Sequence, residues 1–123
     1  MRFAFLLTLA ISSVAMAHDH QERLKAGKCA VISERVAWSM SWVGPCRNGL
    51  AHGSGVMIMD KTQVHRQTHE RGKLVGELKE VVGTTGDGAY FQLSCVRPCE
   101  GAKTRAITAD EMPDWARPFL LPK

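Results

Sequence analysis

The residues through which this chain could do chemistry are four cysteines, five histidines and a run of glycines. Cys29, Cys46, Cys95 and Cys99 are an even set, which in a small chain bound for an oxidising compartment points to two disulfides rather than a thiol nucleophile or a zinc site. The gap in Cys95-x-x-x-Cys99 is not the two-residue gap of oxidoreductases, so a structural cross-link is expected there rather than a redox pair. His65 and His69 stand four apart and on a helix could share a metal. The β-branched residues around them spell a strand, over which four residues span about 13 Å, and the expectation is a solvated strand face. His52 precedes Gly53-Ser54-Gly55 without the G-x-S-x-G pattern, and neighbours on a strand point to opposite faces, so no base and nucleophile are expected there. The sequence also holds no phosphate loop, carboxylate pair or zinc signature, and a non-enzymatic protein is expected. A last candidate is His18-Asp19-His20. A free amine, two backbone nitrogens and the imidazole of the third residue make a four-nitrogen square that suits copper(II) or nickel(II), with His18 and His20 as the residues at stake. The alternative is a polar arm.

That square exists only if the mature chain begins at His18. Arg2, an apolar run over 3–11 and Ala15-Met16-Ala17 read as a signal peptide over 1–17, cleaved after Ala17. Nothing later approaches the roughly 18 uncharged apolar residues of a spanning helix, so no transmembrane segment is expected. The expectation is an exported protein, periplasmic or secreted. Net charge is +4, and basic residues are interspersed with acids from Arg23 to Lys123 rather than clustered, which argues against a nucleic-acid partner.

The elements that must hold these residues read as one small domain. A polar N-terminal arm is expected over 18–28, a β domain over 29–107, and a short helix with an extended tail over 108–123. Within the β domain, 29–32 is a short strand. Residues 36–43 alternate with Val36, Trp38, Met40 and Trp42 on one side, which predicts a strand with a large apolar face. Asn48-Gly49 and Asp60-Lys61 read as turns, 56–59 as a buried strand, 64–69 as a polar strand suited to an edge, and 73–82 and 89–96 as a pair around the turn-rich 83–88. Thr108 and Glu111 have capping-box spacing, with one short helix expected near 112–117 and Pro118 and Pro122 keeping the end extended. The fold class is therefore all-β, a small meander of antiparallel hairpins with a short C-terminal helical turn, stabilised by disulfides. Of the three pairings open to four cysteines, Cys29 with Cys46 joins the first strand to the hairpin, and Cys95 with Cys99 closes a turn; these are favoured.

One stretch carries a motif. From Trp42 an aromatic is followed by Gly44, Gly49, Gly53 and Gly55, with His52 immediately before Gly53. This resembles the MORN repeat (membrane occupation and recognition nexus), whose pattern of aromatic, x, Gly, four residues, Gly, two residues, His-Gly, x, Gly is matched at each fixed position, with Trp42 where Tyr is usual. A degenerate second copy runs from Leu74-Val75-Gly76-Glu77 to Gly86-Asp87-Gly88, with an insertion implied over 60–71. The resemblance implies a MORN-like β domain and association with another protein or with lipid head groups. An exported binding or structural module that engages a protein or envelope component is thus the leading expectation. The alternatives are a periplasmic copper- or nickel-binding protein and a secreted inhibitor presenting the loop Val96-Arg97-Pro98.

Overall fold

In a computed structural model the chain is described over residues 20–96, 99 and 101–122; the signal segment 1–17, His18, Arg97 and Pro98 lie outside the described residues. Period-two patterning begins earlier than expected. In Glu22-Arg23-Leu24-Lys25-Ala26 the apolar residues alternate with polar ones, and these five form strand β1 (Glu22–Ala26), antiparallel to β2 (Cys29–Ser33). From Glu22 onward the expected polar arm is therefore an edge strand, because Leu24 and Ala26 reach the core. The chain continues into β3 (Met40–Val43), leaves that strand's sheet for a minimal hairpin of β4 (Cys46–Arg47) and β5 (Leu50–Ala51), and returns as β6 (Gly53–Met59). Then come β7 (Gln63–Glu70), β8 (Lys73–Thr84), β9 (Tyr90–Val96), β10 (Thr104–Ile107) and one helical turn, α1 (Arg117–Leu120).

Three turns set this path. Asn48 and Gly49 have φ of 53° and 78°, Asp60 and Lys61 of 51° and 60°, and Arg71 and Gly72 of 53° and 84°. Paired positive φ values give a turn the twist of the strands that flank it. The result is a six-stranded antiparallel sheet ordered β10-β9-β8-β7-β6-β3 and a four-stranded sheet ordered β1-β2-β5-β4. The expected all-β meander is present, with one parallel exception where Ala30 of β2 lies beside Leu50 of β5. Strand β7, expected at an edge, lies instead between β6 and β8, and residues 63–70 supply it. The apolar alternation of 36–43 is realised only from Met40, and Trp38 stands outside the strand, 53% exposed.

The six-stranded sheet is the middle layer. On one face Met57, Met59, Met40 and Trp42 meet Leu24, Ala26, Cys29, Val31 and Ala51 of the smaller sheet. On the other, Val56, Ile58, Val64, Val82 and Tyr90 meet Ile107, Met112, Trp115, Ala116, Phe119, Leu120 and Leu121. The tail thus serves as a lid over the second face. Thr108 N–H donates to Glu111 Oε1 (3.0 Å) and Glu111 N–H to Thr108 Oγ1 (3.3 Å), the reciprocal box expected from their spacing. It closes a turn, and the helix begins later, at Arg117, with Pro118 in its first turn where a missing N–H has no partner to lose. The helix expected near 112–117 and the extended backbone expected at Pro118 are corrected accordingly.

Both favoured disulfides are present, Cys29–Cys46 and Cys95–Cys99, with Cα atoms 6.0 and 5.2 Å apart. The first closes a loop of 17 residues, for which chain entropy gives about 3 kcal/mol of stabilisation. Two cross-links fit a non-reducing environment. Among the described residues no helix is long and apolar enough to cross a membrane.

Trp42 is the largest side chain between the sheets, 4% exposed. Its Nε1–H donates to the Pro45 carbonyl (2.9 Å), and its six-membered ring lies on two glycines. A Cβ on Gly55 would stand 2.6 Å from the Val43 carbonyl oxygen and 2.8 Å from Trp42 Cζ2; one on Gly44 would stand 2.9 Å from that same carbon. Gly53 acts differently. It has φ 93° and only ordinary contact with Pro45, so its requirement is conformational. Gly55→Ala should therefore destabilise by about 2 kcal/mol or more, since backbone and indole must both move. Ser54→Ala, on the exposed neighbour, should cost less than about 1 kcal/mol through loss of its bond to Thr68. Urea unfolding of the two variants checks this, and equal midpoints would refute the close seat.

Candidate functional site

The residues of the MORN-like stretch divide by task. Trp42, Gly44 and Gly55 build the seat between the sheets, Gly53 supplies a positive φ at the start of β6, Gly49 completes the β4–β5 turn, and His52 lies at the surface where that hairpin meets the next one. The meeting point is the Arg71-Gly72 turn. Gly72 fits between Ile32 and Leu50, where a Cβ would come within 2.9 Å of Ile32 Cγ1. Its carbonyl accepts from Ile32 N–H (2.8 Å), its own N–H donates to the Ala51 carbonyl (2.9 Å), and Arg71 N–H donates to His52 Nδ1 (3.2 Å). That last bond fixes the His52 tautomer. Nδ1 is the acceptor, so the neutral ring carries its proton on Nε2.

Arg47, Asn48, Leu50, His52 and Arg71 then line an open cavity of about 300 Å³. Two guanidinium groups, an amide and an imidazole can converge on one anion here, and no carboxylate is among the lining residues. A second depression of about 380 Å³, lined by Arg23, Lys25, Lys28 and Gly49 among others, adjoins it across the same turn, and a Cβ on Gly49 would lie 3.0 Å from Arg23 Nη2. Strand pairing explains the grouping. Arg23 faces Ile32, Lys25 faces Ala30, Ala30 lies beside Leu50, and Arg47 faces Leu50, so all belong to the outer face of the small sheet. Leu24, Ala26, Val31 and Ala51 point the other way, into the core. Five basic residues that are dispersed in sequence are thus neighbours in space, contrary to the dispersed surface expected. The period-two alternation of residues 22–26 was the signal that placed Arg23 and Lys25 on one face. Nothing in the sequence brought Arg71 to Arg47.

The other candidates fall elsewhere. His65 and His69 are in strand β7 as expected, but they are buried, 7% and 5% exposed, so the solvated face is corrected at both, while Arg66 and Glu70 of the same strand remain exposed. His65 Nε2–H donates to Gln63 Oε1 (3.2 Å), and burial, helped by the positive charge of Lys79, pushes its imidazole down to about 4. His69 Nδ1–H donates to the Gly72 carbonyl (3.3 Å), Gln67 Nε2 donates to its Nε2 (3.0 Å), and its ring stands edge-on to Trp42 with centroids 4.8 Å apart. Burial lowers its proton affinity, partly opposed by the Gly72 bond. Both rings are satisfied and neutral, and among the described residues no three histidine, cysteine, aspartate or glutamate side chains could hold a metal together. The Ser54 hydroxyl is bonded to Thr68 Oγ1 (3.0 Å), away from His52. Of the copper(II) or nickel(II) square only His20 is among the described residues, and it is exposed; of the loop 96–98 only Val96 is, 64% exposed.

Comparison of the chain with protein-family models, with curated proteins and with solved structures gave no match.

The buried imidazoles make stability depend on pH. His65 has a folded pKa near 4 against 6.5 when free, so its contribution is complete above about pH 6.5. As pH falls below that, the unfolded chain takes up the proton first, and stability drops until the folded chain titrates near 4. The expected loss between pH 7 and pH 4 is about 3 kcal/mol from this residue, and the shift at His69 has the same sign. Denaturant unfolding at a series of pH values should show that slope, and His65→Leu should flatten it. An unchanged slope in the variant would remove His65 as its source.

Proposed function

We propose that this protein is an exported, non-enzymatic binding module of MORN-like type that docks on anionic head groups of the cell envelope through the outer face of its small sheet. The observation that carries the reading is the gathering of Arg23, Lys25, Lys28, Arg47 and Arg71 around the Asn48-Gly49 turn, with His52 and Asn48 as neutral donors between Arg47 and Arg71. Each cation close to an anionic surface contributes about 1 kcal/mol, so five acting together suffice for firm but salt-sensitive attachment. The match of residues 42–55 to the MORN pattern supports the same class of partner. The two disulfides support an oxidising compartment, and the signal-like order of residues 1–17 supports export to one.

The test is cosedimentation of the oxidised chain with vesicles of phosphatidylglycerol and phosphatidylcholine against vesicles of phosphatidylcholine alone. Binding to the anionic vesicles should weaken steeply with salt. Replacing Arg47 and Arg71 together by alanine should weaken it about thirtyfold, from about 2 kcal/mol of lost attraction. Both side chains are exposed, so melting should be unchanged. Equal binding to both vesicle types, or retention of affinity by the double variant, would overturn the reading. In that case an acidic protein surface is the partner to test next.

A further inference from the structure

We propose that Trp38, with Asp60, Thr62 and Gln63, forms a binding site for a single pyranose ring of a saccharide. The site is at the opposite end of the β6–β7 hairpin from the basic cleft and is independent of it. Trp38 is 53% exposed, yet the backbone that carries it is fixed. Ser39 N–H and Ser39 Oγ–H both donate to Asp60 Oδ1 (2.7 and 3.1 Å), and Asp60 N–H donates back to the Ser39 carbonyl (2.9 Å). An exposed indole on a clasped backbone is a preorganised flat surface, and ordering it on binding loses little entropy.

The groups around it have the chemistry of a sugar site. Trp38, Met59, Asp60, Thr62 and Gln63 line a cavity of about 230 Å³. Asp60 uses Oδ1 for the clasp, and among the described residues Oδ2 has no hydrogen-bond partner. Gln63 Oε1 is held by His65 Nε2–H, which leaves the Gln63 amide nitrogen as a donor of fixed orientation. The Thr62 hydroxyl supplies a group of either sense. A pyranose offers the complement, with one apolar C–H face for the indole and a rim of hydroxyls for a carboxylate oxygen and an amide. The cavity has room for about one such ring. A proline-rich peptide also stacks on indole, but it needs an extended aromatic groove, and here one aromatic stands in a compact cavity.

The experiment follows the indole N–H signals of Trp38, Trp42 and Trp115 in ¹⁵N-labelled, oxidised protein on addition of triacetylchitotriose, cellotriose or a proline-rich peptide. Saturable movement of the Trp38 signal with at least one saccharide, the other two indoles being unaffected, is expected. Trp38→Ala should weaken that saccharide at least about tenfold, with Trp38→Tyr intermediate and the melting temperature of both near that of the parent. The Arg47→Ala and Arg71→Ala double variant should bind the saccharide as the parent does, which separates this site from the basic face. No movement of Trp38 at millimolar saccharide, movement with the peptide alone, or full saccharide affinity in Trp38→Ala would each overturn the proposal.

Discussion

The two sheets are held together by an indole that fits only where two backbones carry no Cβ. Trp42 lies against Gly44 and Gly55, its N–H is taken by the Pro45 carbonyl, and the His69 ring packs against it in a T-shaped arrangement. Burying a tryptophan contributes several kcal/mol, but only if its N–H finds a partner and its faces find atoms in contact. The spacing of glycines after Trp42 meets both needs. The chain must pass under the ring at Gly44, turn away to make the β4–β5 hairpin, and pass by the ring again at Gly55. A small protein with a thin core gains a good share of its stability from this one seat, and the Cys29–Cys46 bond holds the excursion between the two glycines against the first strands.

Functional consequences come from what the seat brings alongside. With Trp42 in place, His69 is fixed edge-on, and its Nδ1–H reaches the Gly72 carbonyl that also receives Ile32 N–H. The Arg71-Gly72 turn is thereby held against the small sheet, and Arg71 lies next to His52 and Arg47. Like charges gather at some electrostatic cost, and a rigid turn bonded to two strands is able to bear it. Placing a charge cluster on fixed backbone rather than on a mobile loop keeps its donors converging.

How much of this was legible in the sequence depended on the range of the signal. Turn chemistry is local, so Asn48-Gly49 and Asp60-Lys61 could be read directly, and the cysteine pairing followed from which elements the cysteines flank. The strand β1 was hidden because polar residues outweigh Leu24 and Ala26 in composition, although their alternation was intact. Trp38 was assigned to a strand face because the alternation of 36–43 continues through it. The clasp between Ser39 and Asp60, 21 residues apart, decides that the strand begins only at Met40, and no local pattern reports it. His65 and His69 looked solvated because their neighbours are polar. Strand order places β7 inside the sheet between β6 and β8, and a glutamine beside each histidine supplies the partner that makes burial tolerable. The basic face was illegible for the same reason, since its members come from β1, the β1–β2 turn, β4 and the turn after β7.

Geometry also separates the two exposed features. His52 and Arg71 stand at the open end of the β6–β7 hairpin, whereas Trp38 and Asp60 stand at its turn, so the seven residues of β6 lie between them. At about 3.3 Å per residue the separation is on the order of 20 Å, more than two screening lengths at physiological salt. The cation cluster therefore exerts little field at Trp38, and the carboxylate of Asp60 does little to neutralise the cluster. Each feature is also tied to the middle sheet by its own hydrogen bonds, one set through Gly72 and the other through Ser39. A ligand that settled at one end would find no packed element with two arrangements through which to alter the other, so the two ends should contribute additively to any attachment they share.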